Sequence, residues 1–168
     1  FEKKYGKQEI IFEASDMAIK KEYERILSEG KILPVTLDKA KLCAGLENGE
    51  IVVGEDNIRP RVLEAKSRIK QIFLKDTEAH PAPGVLEAIN EADVIVIGPG
   101  SLYTNVIPNL LVKNVSRAIR DSKAMKFYIS NIMTEPGQTD NYTLSEHIAA
   151  ITEHLGKGII DYCLADTG

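Results

Sequence analysis

No apolar run in this chain of 168 residues approaches the roughly 20 residues that a membrane-spanning helix needs. No signal sequence is visible at its start, so the reading is a soluble, cytoplasmic domain without a membrane span. A basic surface is also lacking: 21 Lys and Arg stand against 25 Asp and Glu, for a net charge of −4. Without a basic stripe carrying interleaved aromatics, nucleic acid is not an expected partner. The two cysteines, Cys43 and Cys163, have no metal-ligand spacing. Each lies in an apolar stretch, where a reduced thiol behaves as a small hydrophobe. Internal repeats and low-complexity tracts are absent. A chain of this length can form one core that buries about two-thirds of its unfolded surface.

What is present concentrates in residues 92–104. Four β-branched residues, Val94, Ile95, Val96 and Ile97, run into Gly98, Pro99, Gly100 and Ser101. An uninterrupted apolar run of that kind suits a strand buried on both faces in a parallel sheet. Gly98 and Gly100 remove the Cβ atoms that would keep a ligand from the backbone. If Ser101 opens a helix, free N–H groups and its hydroxyl face the space above the strand, and an anion is the natural guest. The dinucleotide fingerprint is incomplete, since its third glycine and the distal acidic residue are missing. There is no Gly-Lys-Ser/Thr of a P-loop. A turn whose glycines serve tightness alone is the competing reading.

A second strand is predicted over residues 126–132, ending in Ser130 and Asn131, with a crossover helix before it carrying Val115, Ala118, Ile119 and Ser122 on one face. Right-handed connection of two such units puts both loops at the carboxyl edge of one sheet, where open α/β folds bind ligands. The second loop offers Asn131, Thr134, Gln138, Thr139, Asp140 and Asn141. Asn131 can donate and accept at the edge of a base or a sugar hydroxyl. Thr134 and Thr139 carry hydroxyls beside a turn at Pro136 and Gly137. Tyr142, just before the next helix, is placed to stack over a pocket. The alternative is that Asn131 and the threonines satisfy loop backbone and that Tyr142 staples the helix start.

That helix is the most sharply marked element. Thr143 and Glu146 form a capping box, Leu144, Ile148, Ile151 and Leu155 mark one face, and Gly156 supplies the stop. His147 and His154 lie two turns apart, too far to share an ion, and read as histidines at the rim of a packed face; His80 reads as solvated. No metal site is expected. Elsewhere, strands are predicted over 32–37 and 69–74. A hairpin with a type I′ turn at Asn48 and Gly49 joins residues 41–46 to 50–54. A helix is expected over 85–91, and residues 55–68 and 76–84 read as connections. Residues 1–30 form a charged extension, with a helix over 16–28 capped by Ser15 and stopped at Gly30.

Several blocks carry a resemblance. Gly98, Pro99, Gly100, Ser101, Leu102, Tyr103 and Thr104 are followed by Ile107, Pro108, Asn109, Leu110, Leu111 and Val112. Then come Asn131, Met133, Thr134, Pro136 and Gly137, with Tyr142 and His147. Together these resemble the YvcK/CofD-like family. The segment from Gly30 to Thr36, the hairpin at Asn48 and Gly49, and Glu91, Ala92 and Asp93 are similar too. The likeness runs over roughly residues 26 to 163. It lacks the family's opening glycine-rich loop and its trailing region, so the chain resembles the carboxyl-side portion of a longer protein. Asn105 stands where a serine is common in the family, and Gln138 where a glutamate is common.

The resemblance implies a three-layer, Rossmann-like α/β fold with a parallel sheet and a small β-hairpin insertion, read as one domain over residues 1–168. It also implies a regulator that binds a nucleotide sugar such as UDP-N-acetylglucosamine, or another phosphate-bearing small molecule. Such regulators act in carbon metabolism and in control of the cell envelope and cell shape. The alternative is a 2-phospho-L-lactate transferase-like enzyme that moves a phosphate-linked group with magnesium. The ligand-binding candidates are Gly98, Pro99, Gly100, Ser101, Thr104, Asn131, Thr134, Thr139 and Tyr142. A homo-oligomer is an open option. Asp93, Glu135 and Asp140 stand singly, so no catalytic residue is assigned.

Overall fold

The computed structural model describes residues 32–75 and 78–166. The chain divides between Ile32 and Leu33, and every element below belongs to the second unit. The helix expected over 16–28 lies outside the described residues.

Strands β1 (Lys41–Leu46) and β2 (Ile51–Val53) form the hairpin, with Cys43 opposite Val53. Its turn differs from expectation. A type I′ turn needs positive φ at both central residues, and at this turn only Gly49 has it, at 88°. Leu46 instead accepts from the Gly49 N–H at 3.0 Å and donates to the Glu50 carbonyl at 2.8 Å, enclosing a three-residue loop. Asn48 is held by its side chain, whose Oδ1 accepts from the Glu50 N–H at 3.0 Å.

Residues 55–68, expected as a connection, contain helix α1 (Glu55–Ala65). Its charge and internal Pro60 mask a short apolar stripe, Ile58 and Val62, both buried. Strand β3 (Ile69–Lys75) then pairs antiparallel with β1, giving the sheet order β2-β1-β3. Residues 32–37 form no strand; Thr36 makes a single bridge to Pro81. Pro34 and Pro81 each remove a ladder donor, which accounts for the broken pairing.

The second half alternates helix and strand: α2 (Val85–Glu91), β4 (Val94–Ile97), a π-helical turn (Leu102–Val106), α3 (Ile107–Leu110) and α4 (Val115–Asp121). After them come β5 (Met125–Ile129), α5 (Leu144–Leu155) and β6 (Tyr162–Leu164). As expected, β4 and β5 are adjacent and parallel, with Val94 beside Met125 and Ile97 beside Tyr128. β6 lies parallel on the far side of β5. The fold is therefore mixed α/β, with a parallel sheet and a small antiparallel sheet.

Inward-facing Ile97, Lys126 and Tyr128 are buried with Val115 and Ile119 of α4 and Ile151 and Leu155 of α5. Lys126 lays its stem along this face, and its Nζ donates to the Ser122 carbonyl at the end of α4. Ala44, Leu46 and Ile58 join the same core, so one apolar cluster spans both sheets. The outward face departs from the expected burial: Val94 and Val96 are 51% and 54% exposed. The cysteines differ as well, since Cys43 is buried on β1 whereas Cys163 is exposed on β6.

Candidate functional site

The loop after β4 owes its shape to close backbone approach. Gly98 has a φ of 79°, and a Cβ there would stand 2.7 Å from the Ile129 carbonyl oxygen at the end of β5. No other residue fits that position. The Gly98–Pro99 peptide is cis. Gly100 then donates its N–H to Asn131 Oδ1 at 3.1 Å, so the two loops are tied across the carboxyl edge of the sheet. The Ser101 carbonyl accepts from the N–H groups of Asn105 and Val106, which starts the π-helical turn.

The second loop is largely self-satisfied. Gly137, with a φ of 81°, donates to Asp140 Oδ2 at 2.7 Å. Thr139 is 0% exposed, and its hydroxyl accepts from the Glu135 N–H at 2.8 Å. It holds the loop from inside, out of reach of a ligand arriving from solvent. Thr134 is exposed at the loop's outer side.

Gln138 is a residue that sequence reasoning left without a role. It is 5% exposed and clamps the loops together. Its Oε1 accepts from the Tyr103 N–H at 3.2 Å, and its Nε2 donates to Thr104 Oγ1 at 3.2 Å and to Glu135 Oε1 at 3.1 Å. Only an amide can accept on one side and donate twice on the other. Two consequences follow for the first loop. The Tyr103 N–H is already taken, while the N–H groups of Ser101 and Leu102 have no acceptor among the described residues.

Tyr142 belongs to a cluster of rings at the start of α5. Its hydroxyl lies 2.8 Å from that of Tyr103. Its ring stands edge-on to Tyr103 at 6.3 Å and to His147 at 5.4 Å, under the Arg68 guanidinium. Burial, and then the bond to Tyr142, push the Tyr103 phenol well above its ordinary value. The Thr143 and Glu146 capping box is fully formed, so Tyr142 and His147 hold the N′ and N4 positions of a staple. His147 is buried, with Nδ1 3.0 Å from the Thr143 carbonyl oxygen. His154 lies half-buried, and His80 is exposed beside Asp38.

Two clefts adjoin these loops. One of about 340 Å³ runs along β4 to Gly98 and Pro99, with Asn105 and Asn109 on its opposite wall. The other, about 260 Å³, lies between α1 and the second loop and is lined by Leu63, Lys66, Arg68, Gln138 and Asp140. Lys66 and Arg68 could not be singled out from sequence, because they fall in the stretch whose charges concealed α1.

A family model described as 2-phospho-L-lactate transferase CofD matches residues 8–168. The chain belongs to the CofD family. Within it, the chain is 48% identical over 141 residues to the gluconeogenesis factor of Halalkalibacterium halodurans, covering 83% of this chain and 42% of that protein. It is 41% identical over 147 residues to the gluconeogenesis factor of Bacillus subtilis, covering 87% of this chain and 45% of that protein. A crystal structure of a member of the UPF0052 family from Bacillus halodurans superimposes with a TM-score of 0.78 at 46% identity. That match covers 88% of this chain and 47% of the solved one. The chain thus spans less than half the length of these relatives.

Family membership gives the two tied loops their context. Gly98, Pro99, Gly100 and Asn131 meet at the carboxyl edge of the sheet. Ser101 and Thr104 follow on the first loop and its π-helical turn, and Thr134 is exposed on the second loop. Thr139 and Tyr142 support that arrangement from beneath. Among the described residues, no three His, Cys, Asp or Glu side chains group so as to hold a metal ion. No described helix is long and apolar enough to cross a membrane.

Proposed function

We propose that this chain contributes the phosphate-proximal part of a nucleotide-sugar site, of the UDP-N-acetylglucosamine type, in a cytoplasmic regulator of the gluconeogenesis-factor kind. Such a regulator would couple carbon metabolism to cell-envelope and cell-shape control. The observation that carries this reading is the Gly100 to Asn131 bond, which brings two loops together at the carboxyl ends of adjacent parallel strands. In this reading the diphosphate lies against the N–H groups of Ser101 and Leu102, which have no acceptor among the described residues. Asn131 Nδ2 and the Thr134 hydroxyl then serve the sugar or the base. Arg68 reaches the second loop, donating to the Asp140 carbonyl at 3.1 Å, and in this reading backbone dipoles of the first loop supply the rest of the balance for the ligand's charge.

The description of the matching family model supports a second reading, a transferase of a phosphate-linked group in which magnesium would accompany the phosphates. The relatives' names as gluconeogenesis factors favour the regulator. Calorimetry of a full-length family member carrying this segment, titrated with UDP-N-acetylglucosamine, tests the proposal. Saturable heat with one site per chain supports it. A folded sample that gives no heat at millimolar ligand, yet turns over a phospholactate donor, supports the transferase.

A further inference from the structure

The corner between α1 and β3 puts three consecutive polar residues, Lys66, Ser67 and Arg68, on the wall of the cleft of about 260 Å³. Val62 and Leu63 of α1 give it an apolar side, and the second loop closes it at Asp140. Helix and loop are in tight contact here: a Cβ on Gly137 would stand 3.0 Å from the Arg59 carbonyl oxygen and from Leu63 Cγ. No residue of 98–105 lines this space, and neither does Asn131, so it is separate from the edge where the two loops are tied. Its donors are largely uncommitted. Lys66, at the left-handed C-cap of α1 with a φ of 49°, is exposed, and its ammonium has no hydrogen bond or ion pair among the described residues. Ser67 Oγ accepts from the Asn48 N–H at 3.1 Å, which leaves its own proton to donate. Arg68 spends one N–H on the Asp140 carbonyl at 3.1 Å. It meets Glu146 only at 3.7 Å, in an exposed pair of the kind that contributes little. Most of its five donors remain for a ligand.

We propose that this cleft is a second ligand site, one that takes a small phosphate monoester. A phosphate dianion uses the Arg68 fork, the Lys66 point charge and the Ser67 hydroxyl together, whereas a single carboxylate fills the fork alone. The negative end of the α1 dipole and the Asp140 carboxylate subtract from the positive field. That balance suits one phosphate and not a chain of them. Size sets the same limit. Pockets for drug-sized ligands run from roughly 300 to 1,000 Å³, so a space of about 260 Å³ admits a compact monoester but not a whole nucleotide sugar. Val62 and Leu63 receive the ester's carbon body. The position of the cleft gives it a use. Its occupant touches α1 on one side and, on the other, the arginine that holds the Asp140 carbonyl, so occupancy restrains the second loop. A phosphorylated metabolite bound there acts on whatever binds at the tied loops, and the assignment does not depend on what that second ligand is.

The test titrates sn-glycerol 3-phosphate into a full-length family member carrying this segment, with calorimetry and backbone amide resonances followed on one preparation. Saturable binding at one site per chain is expected, with shifts centred on Lys66, Ser67, Arg68 and Asp140. Lys66→Gln removes an exposed charge that holds nothing in place, so affinity falls by about tenfold or more while the melting temperature stays unchanged. Lys157→Gln removes another exposed charge, just past the far end of α5, and leaves affinity intact. A folded sample without saturable binding at millimolar ligand, equal loss in both variants, or no loss in Lys66→Gln would each overturn the inference. Shifts confined to residues 98–102 would overturn it too, because the phosphate would then sit on the first loop; that outcome leaves the nucleotide-sugar reading standing. Binding at Lys66 in a protein that ignores UDP-N-acetylglucosamine supports this site and removes that reading.

Discussion

The backbone N–H of Gly100 donates to Asn131 Oδ1 at 3.1 Å, and this bond joins the loop after β4 to the loop after β5. It fixes the orientation of the Asn131 amide. With the oxygen occupied, Nδ2 is the group left to donate to a phosphate oxygen or a sugar hydroxyl.

Asn131→Asp therefore separates positioning from binding. The aspartate keeps an acceptor for Gly100 but replaces the donor with a negative charge facing an anionic ligand. Affinity for UDP-N-acetylglucosamine in the full-length protein should fall by about 10- to 100-fold, in line with loss of a hydrogen bond plus repulsion. The melting temperature should barely move. Calorimetry and a thermal scan on one sample check both halves.

Gln138→Glu attacks the clamp beneath the loops. It removes the donor to Thr104 and sets a second carboxylate against Glu135 in a site where Gln138 is almost fully buried. Destabilisation of about 2–4 kcal/mol at neutral pH is expected. The introduced carboxyl would have a folded value raised by burial and by its neighbour. Protonation then restores stability as pH falls, so urea midpoints of variant and parent should converge toward acid pH. A gap that widens there would contradict the clamp.

The capping box gives a pH dependence of opposite sign. Hydrogen bonds from the Thr143 N–H, then its hydroxyl, hold the Glu146 carboxyl below its ordinary value, with Arg68 adding to the effect. A depressed carboxylate contributes stability that is fully present above its unfolded value, near ~4.3, and lost as pH falls through the lower folded value. Glu146→Gln should flatten the stability profile in that acid range. Thr143→Ala should cost about 1 kcal/mol at neutral pH.

Tyr142 is expected to act on stability. Its ring packs on Tyr103 and His147 beneath Arg68. Tyr142→Ala should cost about 2–4 kcal/mol by cavity formation, whereas Tyr142→Phe, which loses only the hydroxyl contact to Tyr103, should cost about 1 kcal/mol. Chemical denaturation distinguishes the two. An alanine variant of parental stability with weakened ligand binding would place the ring in the site instead.

Much of this arrangement could be read from the sequence, and the rest was hidden for identifiable reasons. The alternation of apolar runs with helical spacing exposed β4, β5 and their parallel pairing, and Thr143 with Glu146 marked the start of α5. Periodicity failed where charge diluted it: α1 buries only Ile58 and Val62 and carries Pro60 inside. Tertiary contacts decided the rest. Thr139 and Tyr142 look like polar loop residues in sequence, but one is fully buried and the other braced by rings from elsewhere in the fold. The clamp by Gln138 depends on Tyr103 and Thr104, which lie more than 30 positions away. No local pattern carries that information.

The most direct test is to map the ligand onto the backbone amides. Amide resonances of a full-length family member carrying this segment are followed while UDP-N-acetylglucosamine is added. The account predicts saturable shifts centred on Gly98, Gly100, Ser101, Leu102 and Asn131, with little change at Lys66 and Arg68. Shifts centred on the cleft of Lys66, Arg68 and Asp140, with residues 98–102 and Asn131 unmoved, would contradict it.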